Sequence, residues 1–248
     1  MARAVVLVTG AAGAIGAATV RCFLEAGFGV VGLDRDAGVT DRVAEDYHGY
    51  RVDLHEEAEL GRVLAEASGA GRLRHVIGIA GGALPMEPAA EDDSRLLEVA
   101  AFRASIEANL VTQYVALRAA LPWLRLSPGV DRSITLTSSF NALAGWGMPA
   151  YSAAKAGLLG LMHALTAPLG REGIRINVVA PGTVRTPRTE RIWAHVPDHF
   201  PRLEATTALG RLASPDDVAR SYLALATLLT HVTGEVLVVD GGQSTKRR

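Results

Sequence analysis

The chain has 248 residues, 49% of them hydrophobic, with 25 basic side chains against 26 acidic ones and a formal net charge of −1. That length suits one large α/β unit or two small ones with a substantial core, while the balanced charge, whose only basic run is Lys246-Arg247-Arg248, leaves no electrostatic footprint for nucleic acid. A single cysteine, Cys22, excludes an intramolecular disulfide framework and multi-cysteine metal centres, and with no signal core at residues 5–8 and no run of 18 apolar residues for a membrane span, the expected location is the cytoplasm.

Val5-Val6-Leu7-Val8 is a continuous apolar run of the kind found in strands covered on both faces. It leads into Thr9-Gly10-Ala11-Ala12-Gly13-Ala14-Ile15-Gly16, after which Ile15, Val20, Phe23 and Leu24 recur at helical spacing until Gly27. In such a strand–turn–helix, glycine lets the backbone approach a pyrophosphate, whose charge meets the N–H groups of the helix N-terminus. The second strand, 29–33, ends on Asp34, 24 residues beyond Gly10, about where a dinucleotide fold holds the ribose hydroxyls. A carboxylate there accepts from a 2′-OH and repels a 2′-phosphate, which favours NAD over NADP, although Arg35 next to it could hold a phosphate.

A third strand is expected at Tyr50-Arg51-Val52, ending at Asp53-Leu54, and a helix at 55–67 with Leu60, Val63 and Leu64 inward. The fourth strand, 74–79, runs into Ala80-Gly81-Gly82, small residues that suggest a close approach to the backbone. Residues 83–101 read as an acidic surface connection with one short helix. A helix over 102–121 carries Ile106, Leu110, Tyr114, Val115 and Leu117 on one side, and Asn109 within that face is a buried amide in need of partners. The fifth strand, 133–137, closes at Ser138-Ser139. A loop over 140–150 with Phe140, Trp146 and Met148 then leads to a helix from Tyr151 to about Leu169, its apolar face made by Leu158, Leu159, Leu161, Met162 and Leu165.

The sixth strand, 174–179, is followed by Pro181-Gly182. Residues 183–212, broken by Pro187, Pro197 and Pro201, contain Trp193, Phe200 and Leu203, as a lid over a ligand would. His195 and His199 stand at i and i+4, but Pro197 between them argues against a regular helix, and no metal is expected. Ser214-Pro215-Asp216-Asp217 starts a helix that runs to about Leu229. Residues 234–239 give the last strand. The alternation implies one parallel sheet with helices on both faces and no internal linker.

Tyr151 and Lys155 are four residues apart, which on a helix puts their Cβ atoms about 5–6 Å apart on one face. A phenol titrates near ~10 in water. A neighbouring ammonium and the positive end of the helix both favour the phenolate. Alone, the same spacing also describes a surface lysine beside a half-buried tyrosine.

In chain order, Thr9-Gly10 with Gly16, Asp34, Asp53-Leu54, Ala80-Gly81, Asn109-Leu110, Ser138-Ser139, Tyr151 with Lys155, Asn177 with Pro181-Gly182, and Thr186 together resemble the motif series of the short-chain dehydrogenases/reductases of the compact, single-domain kind. The resemblance implies a doubly wound Rossmann fold with a seven-stranded parallel sheet over 1–248, its cofactor half at about 1–130 and its catalytic and substrate half at about 131–248, with the lid at 183–212. Tyr151 would be the general acid/base, with Lys155 lowering its pKa and holding the nicotinamide ribose. Asn109 would anchor a water in a proton relay. The cofactor would lie against Gly10, Gly13, Ile15, Gly16, Asp34, Asp53, Leu54, Ala80, Gly81, Pro181, Gly182, Val184 and Thr186, with Asp53 at the adenine and Thr186 at the carboxamide. The implied activity is NAD(H)-dependent interconversion of a secondary alcohol and a ketone on a small-molecule substrate, in a homotetramer or homodimer built on the helices of Asn109 and Tyr151. A non-catalytic NAD(P)-binding regulator on the same fold is the alternative, and binding alone would not require Asn109, Ser139, Tyr151 and Lys155 together.

The chain departs from the family pattern in three places. Ala14 stands where glycine is usual. Gly78-Ile79-Ala80-Gly81 replaces Asn-Asn-Ala-Gly, removing two hydrogen-bonding side chains, with weaker sheet support or cofactor affinity as the expected result. Ser138 lies thirteen residues before Tyr151, the commoner spacing, but Ser139 fits the strand end and the following Phe-Asn-Ala better and is taken as the serine that would bind the substrate oxygen.

Overall fold

In the computed structural model, which describes residues 3–41, 44–68, 72–85, 96–127, 131–144 and 147–245, the apolar runs become the strands of one sheet. The first half comprises β1 (Val5–Thr9), α1 (Ala14–Glu25), β2 (Gly29–Asp34), β3 (Tyr47–Arg51), α2 (Glu57–Ser68) and β4 (Leu73–Gly78). The second comprises α3 (Val99–Ile106), α4 (Thr112–Leu126), β5 (Arg132–Thr137), α5 (Asn141–Ala144), α6 (Pro149–Arg171), β6 (Ile174–Pro181), α7 (Pro187–Trp193), α8 (His199–Thr206), α9 (Pro215–Leu223) and β7 (Val236–Val239). All neighbouring strands are parallel, in the order β3-β2-β1-β4-β5-β6-β7. The order reverses between β1 and β4, so a crevice forms beyond their C-terminal ends, where such sheets bind ligands.

Every residue of β1 and β6 is buried, because helices cover both faces. Alternate residues feed two cores. Leu7, Leu33 and Ile134 pack with Leu60, Leu124, Leu158 and Met162 on one side; Val6, Val8 and Ile77 pack with Phe23, Val218 and Tyr222 on the other.

Several elements differ from the sequence reading. β3 begins at Tyr47 and stops before Val52. As an edge strand it pairs on one side only, and Tyr47, whose hydroxyl donates to Val39 O, anchors a stretch whose Asp46 and Gly49 resemble a turn. The helix expected from Phe102 begins at Val99, and a π-helical turn at Glu107–Val111 separates α3 from α4. The extra residue in that turn rotates α4 relative to α3, so Tyr114, expected inward, is 45% exposed while Gln113 is fully buried. The loop after Phe140 contains α5, and Trp146 lies outside the described residues, as do the acidic stretch 86–95 and the basic tail 246–248.

The expected lid holds two helices. Pro187 and Pro201 fall in the first turns of α7 and α8, where the missing N–H has no intrahelical partner to lose. Ser214 caps α9 through a reciprocal capping box with Asp217, as its sequence signature predicts. Among the described residues no helix is long and apolar enough to cross a membrane.

Candidate active site

The glycine turn after β1 closes against the loop after β4. Gly10 has φ +70°, and a Cβ there would stand 2.9 Å from Ala80 N; one on Gly16 would stand 2.0 Å from Gly10 O. Both positions require glycine. At Gly13 a Cβ would meet only Gly10 O, at 3.4 Å. Gly13 is exposed and precedes the first turn of α1, whose N–H groups have no intrahelical acceptor. This open cradle at a helix N-terminus fits a dinucleotide pyrophosphate. Ala14 is the first residue of α1, and its methyl leaves its N–H in place; Ile15 beside it packs partly on the second core.

Asp34 stands at the end of β2, where the sequence spacing put it. Its Oδ2 accepts from Ala12 N at 3.0 Å and its Oδ1 from Asp36 N at 3.0 Å, fixing the carboxylate beside the glycine turn. Arg35 is exposed, and its carbonyl accepts from Arg51 Nε at 3.1 Å. After β3, Asp53 Oδ1 accepts from His55 N at 3.0 Å and Leu54 is buried.

Tyr151 and Lys155 share a face of α6. Pro149 opens this helix, and Met148 before it is held in the left-handed region, φ 51°, a strained geometry for a non-glycine residue. Ser152 secures the entry, its N–H donating to Met148 O at 2.8 Å and its hydroxyl to Gly147 O at 2.9 Å. Lys155 Nζ lies 5.6 Å from the Tyr151 ring centroid and donates to Thr137 O at 2.9 Å. The lysine is 2% exposed and has no carboxylate partner among the described residues. Burial alone pulls its pKa down from 10.5 to about 7.

The π-turn delivers Asn109 to the same place. Its Oδ1 accepts from Gly82 N at 2.7 Å, and its Nδ2 donates to Ser105 O at 3.1 Å and Gly82 O at 3.2 Å. A Cβ on Gly81 would lie 2.7 Å from Asn109 Oδ1 and 3.4 Å from Lys155 Nζ, so Asn109 and Lys155 are the groups that crowd the small-residue loop. Leu110 presses on Gly157 of α6, where a Cβ would meet its Cδ2 at 2.8 Å, and keeps the two helices close.

The two serines face different partners. Ser138 Oγ donates to Lys155 O at 2.8 Å and ties β5 to α6. Ser139 Oγ accepts from Asn141 N at 3.2 Å and stands 3.4 Å from Asn141 Oδ1, at the entrance to α5.

Gln113 was missed by the sequence reading. Its Oε1 accepts from Thr137 N at 3.0 Å, and its Nε2 donates to Thr137 O at 3.0 Å and to Ala80 O at 3.5 Å. A Cβ on Gly78 would come within 3.1 Å of Oε1. The amide from α4 therefore fills the space beside Gly78 and joins the β4 loop to β5. The Gln113 amide thus supplies hydrogen bonds at the place where the usual Asn-Asn side chains are missing. Thr9 adds to it, its Oγ1 accepting from Ile79 N and Ala80 N at 3.0 and 3.2 Å. A polar residue three positions after Leu110 was the available signal, but the π-turn breaks the periodicity that would have shown it buried.

Beyond β6, Gly182 N donates to Val239 O at 3.0 Å and Val184 bridges to Ala213. Thr186 caps α7 and accepts from Thr189 N at 3.1 Å. Asn177 is structural: Nδ2 donates to Val232 O at 2.9 Å and Oδ1 accepts from Glu235 N at 3.1 Å. In the lid, Trp193 stacks on His199 at 4.1 Å and on His195 at 6.5 Å, and the described residues contain no group of three or more His, Cys, Asp or Glu placed to hold a metal.

Residues 10–244 match the family model described as enoyl-(acyl carrier protein) reductase. An L-fucose dehydrogenase of Mus musculus is 34% identical over 96% of this chain and 87% of its own. A solved oxidoreductase of the short chain dehydrogenase/reductase family from Burkholderia thailandensis is 38% identical, covering 98% of this chain and 93% of that one, with a TM-score of 0.87. The NADP-bound structure of ElxO shares the fold at 23% identity and a TM-score of 0.86, covering 98% of this chain and 99% of its own. This chain belongs to the short-chain dehydrogenase/reductase family.

Proposed function

We propose that this family member interconverts a secondary alcohol and a ketone with a nicotinamide dinucleotide, and that it prefers NAD(H) to NADP(H). The observation that carries the reading is the buried Lys155, without a carboxylate partner among the described residues, on the same helical face as Tyr151 and beside the glycine-rich loop of the crevice. Once bound, the dinucleotide supplies the two-electron step by exchanging a hydride with the substrate carbon. Gly10, Gly13, Ile15 and Gly16 would hold its pyrophosphate, Asp34 its ribose, Asp53 and Leu54 its adenine, and Ala80, Gly81, Pro181, Gly182, Val184 and Thr186 its nicotinamide end.

Tyr151 takes the hydroxyl proton in oxidation and returns it in reduction, so hydride and proton leave the alcohol as a balanced pair. Lys155, whose pKa burial lowers to about 7, favours proton loss from the phenol in its protonated form and positions the nicotinamide ribose. Ser139 hydrogen-bonds the reacting oxygen. Asn109 fixes Gly82 and anchors the relay water through the remaining lone pair of Oδ1. Cofactor binding falls to about 1–130 and catalysis to about 131–248 of a single domain, with 183–212 closing over the substrate.

Asp34 supports NAD: its carboxylate is held by two backbone N–H groups at the turn, where a 2′-phosphate would meet negative charge. A cytoplasmic homotetramer or homodimer completes the proposal; Phe102 and Tyr114, 40% and 45% exposed along the Asn109 helix, are surface that such an assembly would cover.

The test is a panel of secondary alcohols and ketones assayed with NAD and NADP. NAD-linked turnover is expected, reduced on the order of 10²- to 10⁴-fold by Tyr151→Phe. Undiminished turnover in that variant would remove Tyr151 from the mechanism. Equal or faster rates with NADP would overturn the reading of Asp34, and dinucleotide binding without turnover by the unmodified chain would favour the non-catalytic alternative.

A further inference from the structure

The lid carries one cation across the crevice. Arg188, in the first turn of α7, donates from Nη2 to Ala83 O at 2.6 Å, a contact between residues 105 apart in sequence. Its guanidinium lies on Gly82: a Cβ there would meet Nη1 at 2.7 Å, Cζ at 3.1 Å and Nη2 at 3.2 Å. Gly82 is the residue whose N–H Asn109 holds, and Gly81 before it touches the surroundings of Lys155 Nζ. The positive group therefore stands one residue from the centre assigned to proton transfer.

Nothing among the described residues neutralises it. Its neighbour Arg185 reaches Glu190 at 3.0 Å and Glu204 at 3.6 Å, and Arg211 reaches Asp217 at 2.7 Å. Among the described residues the exposed Arg188 meets only a neutral carbonyl, which engages one of the five N–H donors of a guanidinium. The remaining donors suit a carboxylate, which accepts two of them in parallel with charge assistance. Lys155, also without a carboxylate among the described residues, adds positive potential on the other side of the same loop when protonated.

We propose that Arg188 determines specificity by making this site select secondary alcohols and ketones that carry a carboxylate, with the guanidinium above Gly82 receiving it. The proposal rests on the oxidoreductase reading above and adds the substrate class. Contact with the acid would also hold α7 against the β4 loop, so the charged substrate closes its own lid. The dinucleotide pyrophosphate is a second source of negative charge, but its cradle is the turn at Gly10–Gly16, and the two are separable.

The probes are cyclohexanecarboxylate and its uncharged amide, titrated by calorimetry at neutral pH and saturating NAD. The unmodified protein is expected to prefer the carboxylate by about 10-fold, the scale of one charge-assisted contact. Arg188→Gln should abolish that preference, Arg188→Lys should keep part of it, and NAD affinity should stay within about twofold, since only the substrate's charge is addressed. A merely structural role would weaken both probes equally. A preference that persists in Arg188→Gln, or is absent from the unmodified protein, overturns the proposal. A loss of NAD affinity with the preference unchanged overturns it as well, by assigning Arg188 to the pyrophosphate. On the alcohol and ketone panel, activity that ignores a carboxylate counts against Arg188 alone, whereas no turnover of any compound counts against the oxidoreductase reading.

Discussion

Two adjacent serines end β5, and their hydrogen bonds separate them by task. Ser138 donates its proton to a buried carbonyl in α6, so Ser138→Ala leaves Lys155 O without that donor; the expected cost is on the order of 1 kcal/mol of stability with kcat little changed. Ser139 makes only local contacts with Asn141 at the start of α5, the one its hydroxyl donates being long at 3.4 Å, so that hydroxyl can turn to a substrate oxygen. Ser139→Ala should therefore lower kcat on the order of 10²-fold or more at nearly unchanged stability, by loss of a donor to the oxygen that gains charge. Urea unfolding and steady-state kinetics on both variants decide the assignment; the reverse pattern would make Ser138 the catalytic serine. The sequence presents two identical side chains here, and their choice of partners arises only when α6 packs on β5. Gln113 is hidden from sequence for a related reason: its partners, Ala80 and Thr137, come from the loop after β4 and from β5.

At the scale of elements, local chemistry made most of the fold legible. Strands that are apolar on both faces, the Ser214 cap and the glycine turn each announce themselves within ten residues. The π-turn at Glu107–Val111 does not, since it changes the phase of a helix whose composition stays helical throughout. The lid prolines misled because proline both breaks and begins helices. Within the glycine turn the three glycines carry unequal demands. Gly16→Ala would drive a Cβ to 2.0 Å from Gly10 O, so the turn must open, and both folding and dinucleotide binding should be lost. Gly13 has φ −66° and one contact at 3.4 Å, so Gly13→Ala should fold. Its penalty is that of alanine replacing glycine at an N-cap, about 1 kcal/mol or 2–4 °C in Tm, together with weaker dinucleotide binding where the methyl enters the cradle. Melting curves with and without NAD read both effects. A Gly16→Ala protein that melts like the parent would refute this account of the turn.

Across the whole molecule, the sheet is held at its centre by polar groups that no apolar pattern reveals. His75 of β4 is 3% exposed, its Nδ1 2.8 Å from Ser133 Oγ on β5, beneath both halves of the fold. Arg175 of β6 forms an ion pair with Asp131 at 2.8 Å and donates to the carbonyls of Leu225, Ala226, Leu229 and Val232, fastening the chain after α9 to the sheet. Burial, and then the positive charges of Arg175 and Arg74, hold the His75 pKa down at about 3. The unfolded chain takes up this proton near 6.5, whereas the folded chain refuses it until about 3. In that window the unfolded state binds more protons, so stability falls as pH drops from 6.5 towards 3 and is unaffected by this group above 6.5. Between pH 7 and pH 5 the loss attributable to His75 is on the order of 2 kcal/mol. The double variant His75→Phe with Ser133→Ala removes the titrating group without leaving a buried hydroxyl unpaired. It is expected to show a shallower decline of unfolding free energy between pH 7 and pH 5 in urea titrations, whatever its stability at neutral pH. An unchanged slope would mean that His75 accepts its proton in the folded state, and that the charge of Arg175 does not reach it through the sheet.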